Sequence, residues 1–207
     1  MIKNTNHDAL KIKLQRQSVV YTTDYSMLLV SGLIAFICFI LFMTYGSANQ
    51  IFGYNAKDYH WWQLITAHFI HYDIKHLTLN MLALLFLLYL FPTTAKQLIQ
   101  GFIVAIFFIG IYLFFSDVLF YVGFSGLLYV IPGLALGRFI FEKNYWNAFL
   151  IISVYITYSS SIQLTSITSE QIIWTPLLWS HFLGFVAGFM TQTLTNLYDK
   201  IKVSVIV

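Results

Sequence analysis

Charge is what this chain has least of. Asp, Glu, Lys and Arg make up 9% of its 207 residues, against 59% hydrophobic residues, and its mean hydropathy is +0.76. Soluble domains carry about 25% charged residues, so this composition excludes an ordinary soluble domain. A single cysteine, Cys38, excludes an intramolecular disulfide and leaves the redox compartment open. The net charge of +3 is too small to imply a nucleic-acid partner. No internal repeat, low-complexity tract or HExxH zinc signature is present.

What the chain has instead is apolar runs near the span length of about 20 residues, recurring along most of its length. They predict an all-α membrane protein, a six-transmembrane-helix bundle with spans near 27–45, 76–91, 98–115, 124–141, 146–160 and 177–197. Polar or turn-forming residues separate the runs at 46–50, 92–94, 116–117, 142–144 and 159–176. The expected organisation is an N-terminal segment at 1–25, a membrane domain at 26–198 and a short tail at 199–207. The first run follows more than twenty largely polar residues and lacks a small-residue cleavage pattern, so it is expected to stay in the mature protein.

Lys3, Lys11, Lys13, Arg16, Lys96, Arg138, Lys143, Lys200 and Lys202 fall on one side of a six-span arrangement. Lys57 and Lys75 fall on the other. The excess places both termini in the cytoplasm and the 46–75 loop outside. The compact form without appended domains suggests a bacterial inner membrane.

The inner parts of these spans hold no Asp or Glu, which argues against transport coupled to a buried carboxylate relay. Transport is further disfavoured because no inverted repeat is visible. The polar residues that do occur at depth are more specific. His76 and Asn80 lie four apart and share a helical face. Ser125 opens the fourth span between Gly123 and Gly126, where a helix N-terminus can hold an oxyanion. His181 lies at a matching depth in the sixth span, roughly 10 Å of helix rise from Trp174. Gly126, Gly133 and Gly137 form one smooth stripe, and Gly184 and Gly188 another with Ser180. Packing the stripes together would bring His181 to Ser125, where it can take the serine proton and return it to a leaving amine. With no carboxylate at that depth, a dyad is expected. Tyr129, one turn after Ser125, is placed to support the imidazole.

Together these motifs resemble the rhomboid intramembrane serine proteases over most of the six-helix core. His71-x4-His76-x3-Asn80 is similar to the second-helix signature, and Gly123-Phe-Ser125-Gly126-Leu-Leu-Tyr129 to the nucleophile motif. Gly133 stands where the fourth helix usually has glycine, and His181-x2-Gly184-x3-Gly188 is similar to the sixth-helix motif. The resemblance implies Ser125 as nucleophile and His181 as general base. It implies an oxyanion hole of His76, Asn80 and the Ser125 N–H, with Tyr129 stacked on His181 and with His71, Gly123 and Gly126 in support. The expected partners are a transmembrane protein substrate and membrane lipid, with no cofactor and no metal. Two departures stand out: Trp62-Gln63 replaces the family's Trp-Arg pair, and Leu177-Leu-Trp-Ser180 lacks a polar residue often found before the histidine. The stretch from Trp61 to His71, with Tyr121 to Gly126, also resembles the rhombosortase branch, which is associated with trimming C-terminal Gly-Gly sorting tails. Tyr129 occupies a position where many of that branch carry histidine.

Other readings attach to the same residues. His68, His71 and His76 with Asp73 have spacings that could share zinc, but that leaves Ser125 unexplained. A non-catalytic rhomboid-like protein that binds transmembrane segments would use the same bundle, though such proteins usually lack the serine or the histidine. His60 and His68 are expected to be interfacial loop residues.

Overall fold

A computed structural model describes residues 25–46, 51–168 and 177–206. The expectations that rest on residues 1–24 and on Trp174 lie outside them. Among the described residues the fold is all-α apart from one small two-stranded sheet. In order, the elements are α1 (Tyr25–Tyr45), β1 (Tyr54–Asn55), α2 (Gln63–Thr66), a 3-10 turn (Ala67–Phe69), α3 (Ile74–Leu90) and α4 (Ala95–Phe115). There follow β2 (Phe120–Tyr121), α5 (Ser125–Leu128), α6 (Val130–Phe141), α7 (Tyr145–Thr168) and α8 (Leu178–Ile206).

The helices are inside out relative to those of a soluble protein. On α4, Leu98, Phe102, Ala105, Ile109 and Leu113 are buried, while Ile99, Ile103, Phe107, Ile111 and Phe114 face outward. Both faces are apolar, as a bilayer allows and water does not. On α1 the buried stripe is Ser31, Ile34 and Cys38, and Leu29, Leu33, Phe36 and Met43 point out. The α4 start is set by a capping box: Thr94 accepts from the Gln97 N–H and the Gln97 side chain accepts from the Thr94 N–H. Asp73 caps α3 by accepting from the His76 N–H at 2.7 Å.

Residues 26–45 and 95–115 are each long and apolar enough to cross a membrane. The helices Gln63–Phe69 and Ile74–Leu90 pass only as a pair, bent by 86° at their junction, and Ser125–Phe141 is shorter. Ile74–Leu90 is 17 residues long, and these shorter elements are the ones that carry His76, Asn80 and Ser125. α8 continues through Asp199, Lys200 and Lys202 to Ile206, so the stretch expected as a tail after 198 is helical to that point.

At the centre lies α6, buried from Val130 through Gly137 except at Pro132. Its glycines and those of α8 let the two backbones touch. A Cβ on Gly133 would land on the Phe185 carbonyl, one on Gly188 on the Val130 carbonyl, and one on Gly184 on the Gly126 carbonyl. Gly137 would meet Gln192 Cβ at 2.8 Å. The expected stripe-on-stripe contact is therefore present, and the close approach leaves no room for any side chain.

Candidate active site

The site is assembled by a folded loop as much as by helices. β1 pairs antiparallel with β2, Tyr54 opposite Tyr121 and Asn55 opposite Phe120. Ala56 N–H donates to the Leu119 carbonyl at 3.0 Å, and Gly123 N–H donates to the Ala67 carbonyl at 2.9 Å. The segment before Ser125 is thus fastened along its length to the loop that precedes α3. Gln63 is fully buried and organises that loop: its Oε1 accepts from the N–H groups of His60 at 3.1 Å and Asn55 at 3.4 Å, and its Nε2 donates to the Ile51 carbonyl. A neutral amide supplies both donor and acceptor at this buried position, which an arginine could not. The replacement of Trp-Arg by Trp62-Gln63 therefore leaves an ordered loop.

Gly123 has φ +123°, a conformation that side-chain-bearing residues rarely adopt, and a Cβ there would strike His76 Cε1 at 2.6 Å and Nε2 at 2.9 Å. The His76 ring edge therefore lies against the backbone just ahead of Ser125. The Tyr72 N–H approaches His76 Nδ1 at 3.4 Å. That contact assigns the acceptor role to Nδ1 and the proton of a neutral ring to Nε2, the atom facing the nucleophile segment. His71 stacks edge-on against His76, with ring centroids 5.2 Å apart. Asn80 is 6% exposed, and its Nδ2 has no hydrogen-bond partner among the described residues. A buried amide donor left unpaired is costly, which marks Asn80 Nδ2 as a donor free for an incoming acceptor.

Ser125 starts α5 and is half-buried. Its Oγ lies 3.0 Å from Nε2 of His181, which is 3% exposed on α8. Tyr129 stacks on His181 with centroids 4.4 Å apart and planes at 17°. His181 Nδ1 has no partner among the described residues, so the stacked ring, together with packing, is what orients the imidazole. Ser125, His181, Tyr129, His76, His71, Gly123 and Gly126 are brought together by these contacts, Asn80 lies buried one turn after His76 on α3, and Gly133, Gly184 and Gly188 close the helices behind them.

Two residues depart from expectation. His68 is not an interfacial loop residue: it is fully buried, with Nδ1 3.2 Å from the Tyr121 hydroxyl. Periodicity could not place it, because the 3-10 turn that points it inward belongs to neither a helical nor a strand repeat. Tyr121, expected only as the start of the run to Gly126 that resembles the rhombosortase branch, is buried with its hydroxyl against that histidine. Asp73 serves as the α3 cap and His68 faces Tyr121, while His71 and His76 pack against each other.

The Rhomboid domain family matches residues 58–196, two-thirds of the chain, a stretch that includes every residue of this cluster. Neither a curated protein nor a solved structure matches the chain significantly. With that match over an apolar, helical architecture, the chain is an integral membrane protein and belongs to the rhomboid family.

Proposed function

We propose that this protein is an intramembrane serine endopeptidase that cleaves single-pass membrane proteins near the outer membrane face. Rhomboid-family proteins are generally intramembrane serine proteases, and they also include inactive relatives. The observation that carries the active reading is the 3.0 Å separation of Ser125 Oγ and His181 Nε2 at a half-buried serine. A rhomboid-like protein that only binds transmembrane segments has no need of that pairing.

In the proposed reaction Ser125 Oγ attacks the scissile carbonyl carbon as His181 Nε2 takes its proton. The oxyanion is held by Asn80 Nδ2, His76 Nε2–H and the Ser125 N–H. Collapse breaks the C–N bond, and the imidazolium gives its proton to the departing amine. Water then attacks the acyl ester with His181 again as base, releasing a carboxylic acid and restoring the serine. An intact helix hides its carbonyls in hydrogen bonds, so the substrate must unwind locally, which small or helix-breaking residues favour. In this reading the bundle has six spans, both termini are cytoplasmic and the membrane is a bacterial inner membrane. The run from Trp61 to His71 favours the rhombosortase branch and, with it, a substrate ending in a Gly-Gly-containing sorting tail.

The test is labelling of the detergent-solubilised protein with a fluorophosphonate serine probe. Wild type is expected to label, and Ser125→Ala and His181→Ala to remain folded and unlabelled. A folded wild type that stays unlabelled across detergents and lipid nanodiscs would leave the binding-only reading in place.

A further inference from the structure

The histidine of the reacting pair belongs to a cluster of rings that reaches as far as α7. On α8, His181 and Phe185 lie one turn apart and so share a helical face. Tyr129, at the junction of α5 and α6, stacks on the first of them, with centroids 4.4 Å apart and planes at 17°. Tyr155 of α7 stacks on the second, with centroids 4.8 Å apart and planes at 24°. The two tyrosines then meet each other edge to face, their centroids 5.7 Å apart and their planes at 86°. Gly184 lies between the two α8 rings, and even a Cβ there would come within 3.4 Å of Tyr129 Cβ, so the tyrosine is seated close against the helix. Among the described residues α7 otherwise packs chiefly on α6, through Ala148 and Ile151. Tyr155 is thus the point at which this helix reaches the layer of the reacting pair.

The χ2 torsion of an aromatic or imidazole ring is broad, so packing and hydrogen bonds, more than the torsion itself, fix its plane. His181 Nδ1 has no hydrogen-bond partner among the described residues, which leaves the Tyr129 face to hold the imidazole plane. Tyr129 can do so only while its own plane is held. An edge-to-face neighbour does that, because the positive ring edge is drawn to the negative ring face in one relative orientation. A displacement of about 1 Å at the reacting atoms costs roughly 10²-fold in rate, so partial loss of this support has a measurable effect. We propose that Tyr155 is a positioning residue: its ring braces Tyr129, keeps that ring flat on His181, and so holds the imidazole toward Ser125. This rests on the serine-histidine chemistry proposed above.

The experiment uses the full-length protein in detergent, with Tyr155→Leu, which removes the ring, Tyr155→Phe, which keeps it, and Tyr155→Leu combined with Tyr129→Ala. The fluorophosphonate labelling rate is measured against probe concentration. Tyr155→Leu is expected to lower the maximal rate about fivefold, with half-saturation changed by no more than about twofold. Tyr155→Phe is expected to restore the rate to within about twofold of wild type. Because Tyr155 acts through Tyr129, the combined variant is expected to label within about twofold of Tyr129→Ala alone. A maximal rate in Tyr155→Leu within about twofold of wild type, or losses that multiply in the combined variant, would overturn the proposal. So would a lower labelled fraction at an unchanged rate constant, which is what a merely structural role produces. A spectroscopic arm is independent of the chemistry. With ¹³C-labelled histidine, the Cε1–H signal that disappears in His181→Ala carries the ring-current shift of Tyr129. That signal is expected to move in the same direction in Tyr155→Leu and Tyr129→Ala and to stay in place in Tyr155→Phe. A signal that moves in Tyr129→Ala and not in Tyr155→Leu overturns the brace. If Tyr155→Leu does not fold, Tyr155→Met takes its place, and failure of both to fold makes Tyr155 structural and overturns the proposal. A wild type that never labels, when Ser125→Ala behaves identically, refutes the serine chemistry, and the histidine signal alone then decides the brace.

Discussion

A methyl group added at Gly184 would land on the Gly126 carbonyl oxygen and 3.4 Å from Tyr129 Cβ. The first of these is backbone, so α8 has to retreat from the nucleophile segment. Two effects on stability oppose each other. Alanine favours a helix over glycine by about 1 kcal/mol, while overpacking a close contact costs about 1–3 kcal/mol. Gly184→Ala is therefore expected to lose no more than about 2 kcal/mol of stability. Its effect on reaction is larger. Gly126 is bonded to Ser125 and His181 lies one turn before Gly184 on α8, so a retreat of about 1 Å takes the pair out of its 3.0 Å hydrogen bond. The labelling rate is expected to fall about 10²-fold or more. Gly32 on α1 is the control: a Cβ there meets nothing within 4 Å, so Gly32→Ala should gain up to about 1 kcal/mol and label like wild type. Fluorophosphonate labelling and thermal unfolding, measured in the same detergent, separate the two effects. Labelling of Gly184→Ala within about twofold of wild type would show that this close contact does not set the serine-histidine distance.

Other outcomes follow from the same geometry. Asn80→Ala removes a buried donor that has no partner to disappoint, so it should keep its unfolding temperature while peptide hydrolysis falls about 10²-fold or more. An unchanged hydrolysis rate in that variant would take Asn80 out of the oxyanion hole. Tyr129→Phe preserves the stacked ring and should label within about threefold of wild type, whereas Tyr129→Ala should lose about tenfold. Equal behaviour of the two would mean that stacking does not orient His181. Gln63→Leu removes the acceptor of the Asn55 and His60 N–H groups, at a cost of about 1–3 kcal/mol. Limited proteolysis should then cut the 51–73 loop faster, and an unaltered cleavage pattern would show that Gln63 does not order it.

Apolar run length located the helices because bilayer burial is a local, additive property. α1, α3, α4 and α7 begin within three residues of the starts read from composition, with the fourth segment starting at Ser125 and broken after Leu128. Helix ends were harder: α8 runs on to Ile206 because charged residues such as Asp199 and Lys200 stop a hydrophobic run without stopping a helix. The candidate residues were legible for a related reason. A serine, two histidines and an asparagine stand out where a membrane tolerates few polar groups, and glycines four or seven apart mark a helix face.

What the sequence by itself determined is thus the class of protein, its helices and the side chains with unusual chemistry, since each follows from spacing along one element. Only the tertiary structure decided what these side chains meet. The turn that buries His68 arises from a loop folding back on the β2 segment, contacts more than fifty residues apart, and no local pattern encodes them. Gln63 as the organiser of that loop depends on the turn that brings Ile51 and Asn55 back to it, and Tyr121 on a hydrogen bond to His68 across 53 positions of sequence. Periodicity assigns a residue to a face, and only packing assigns that face a partner.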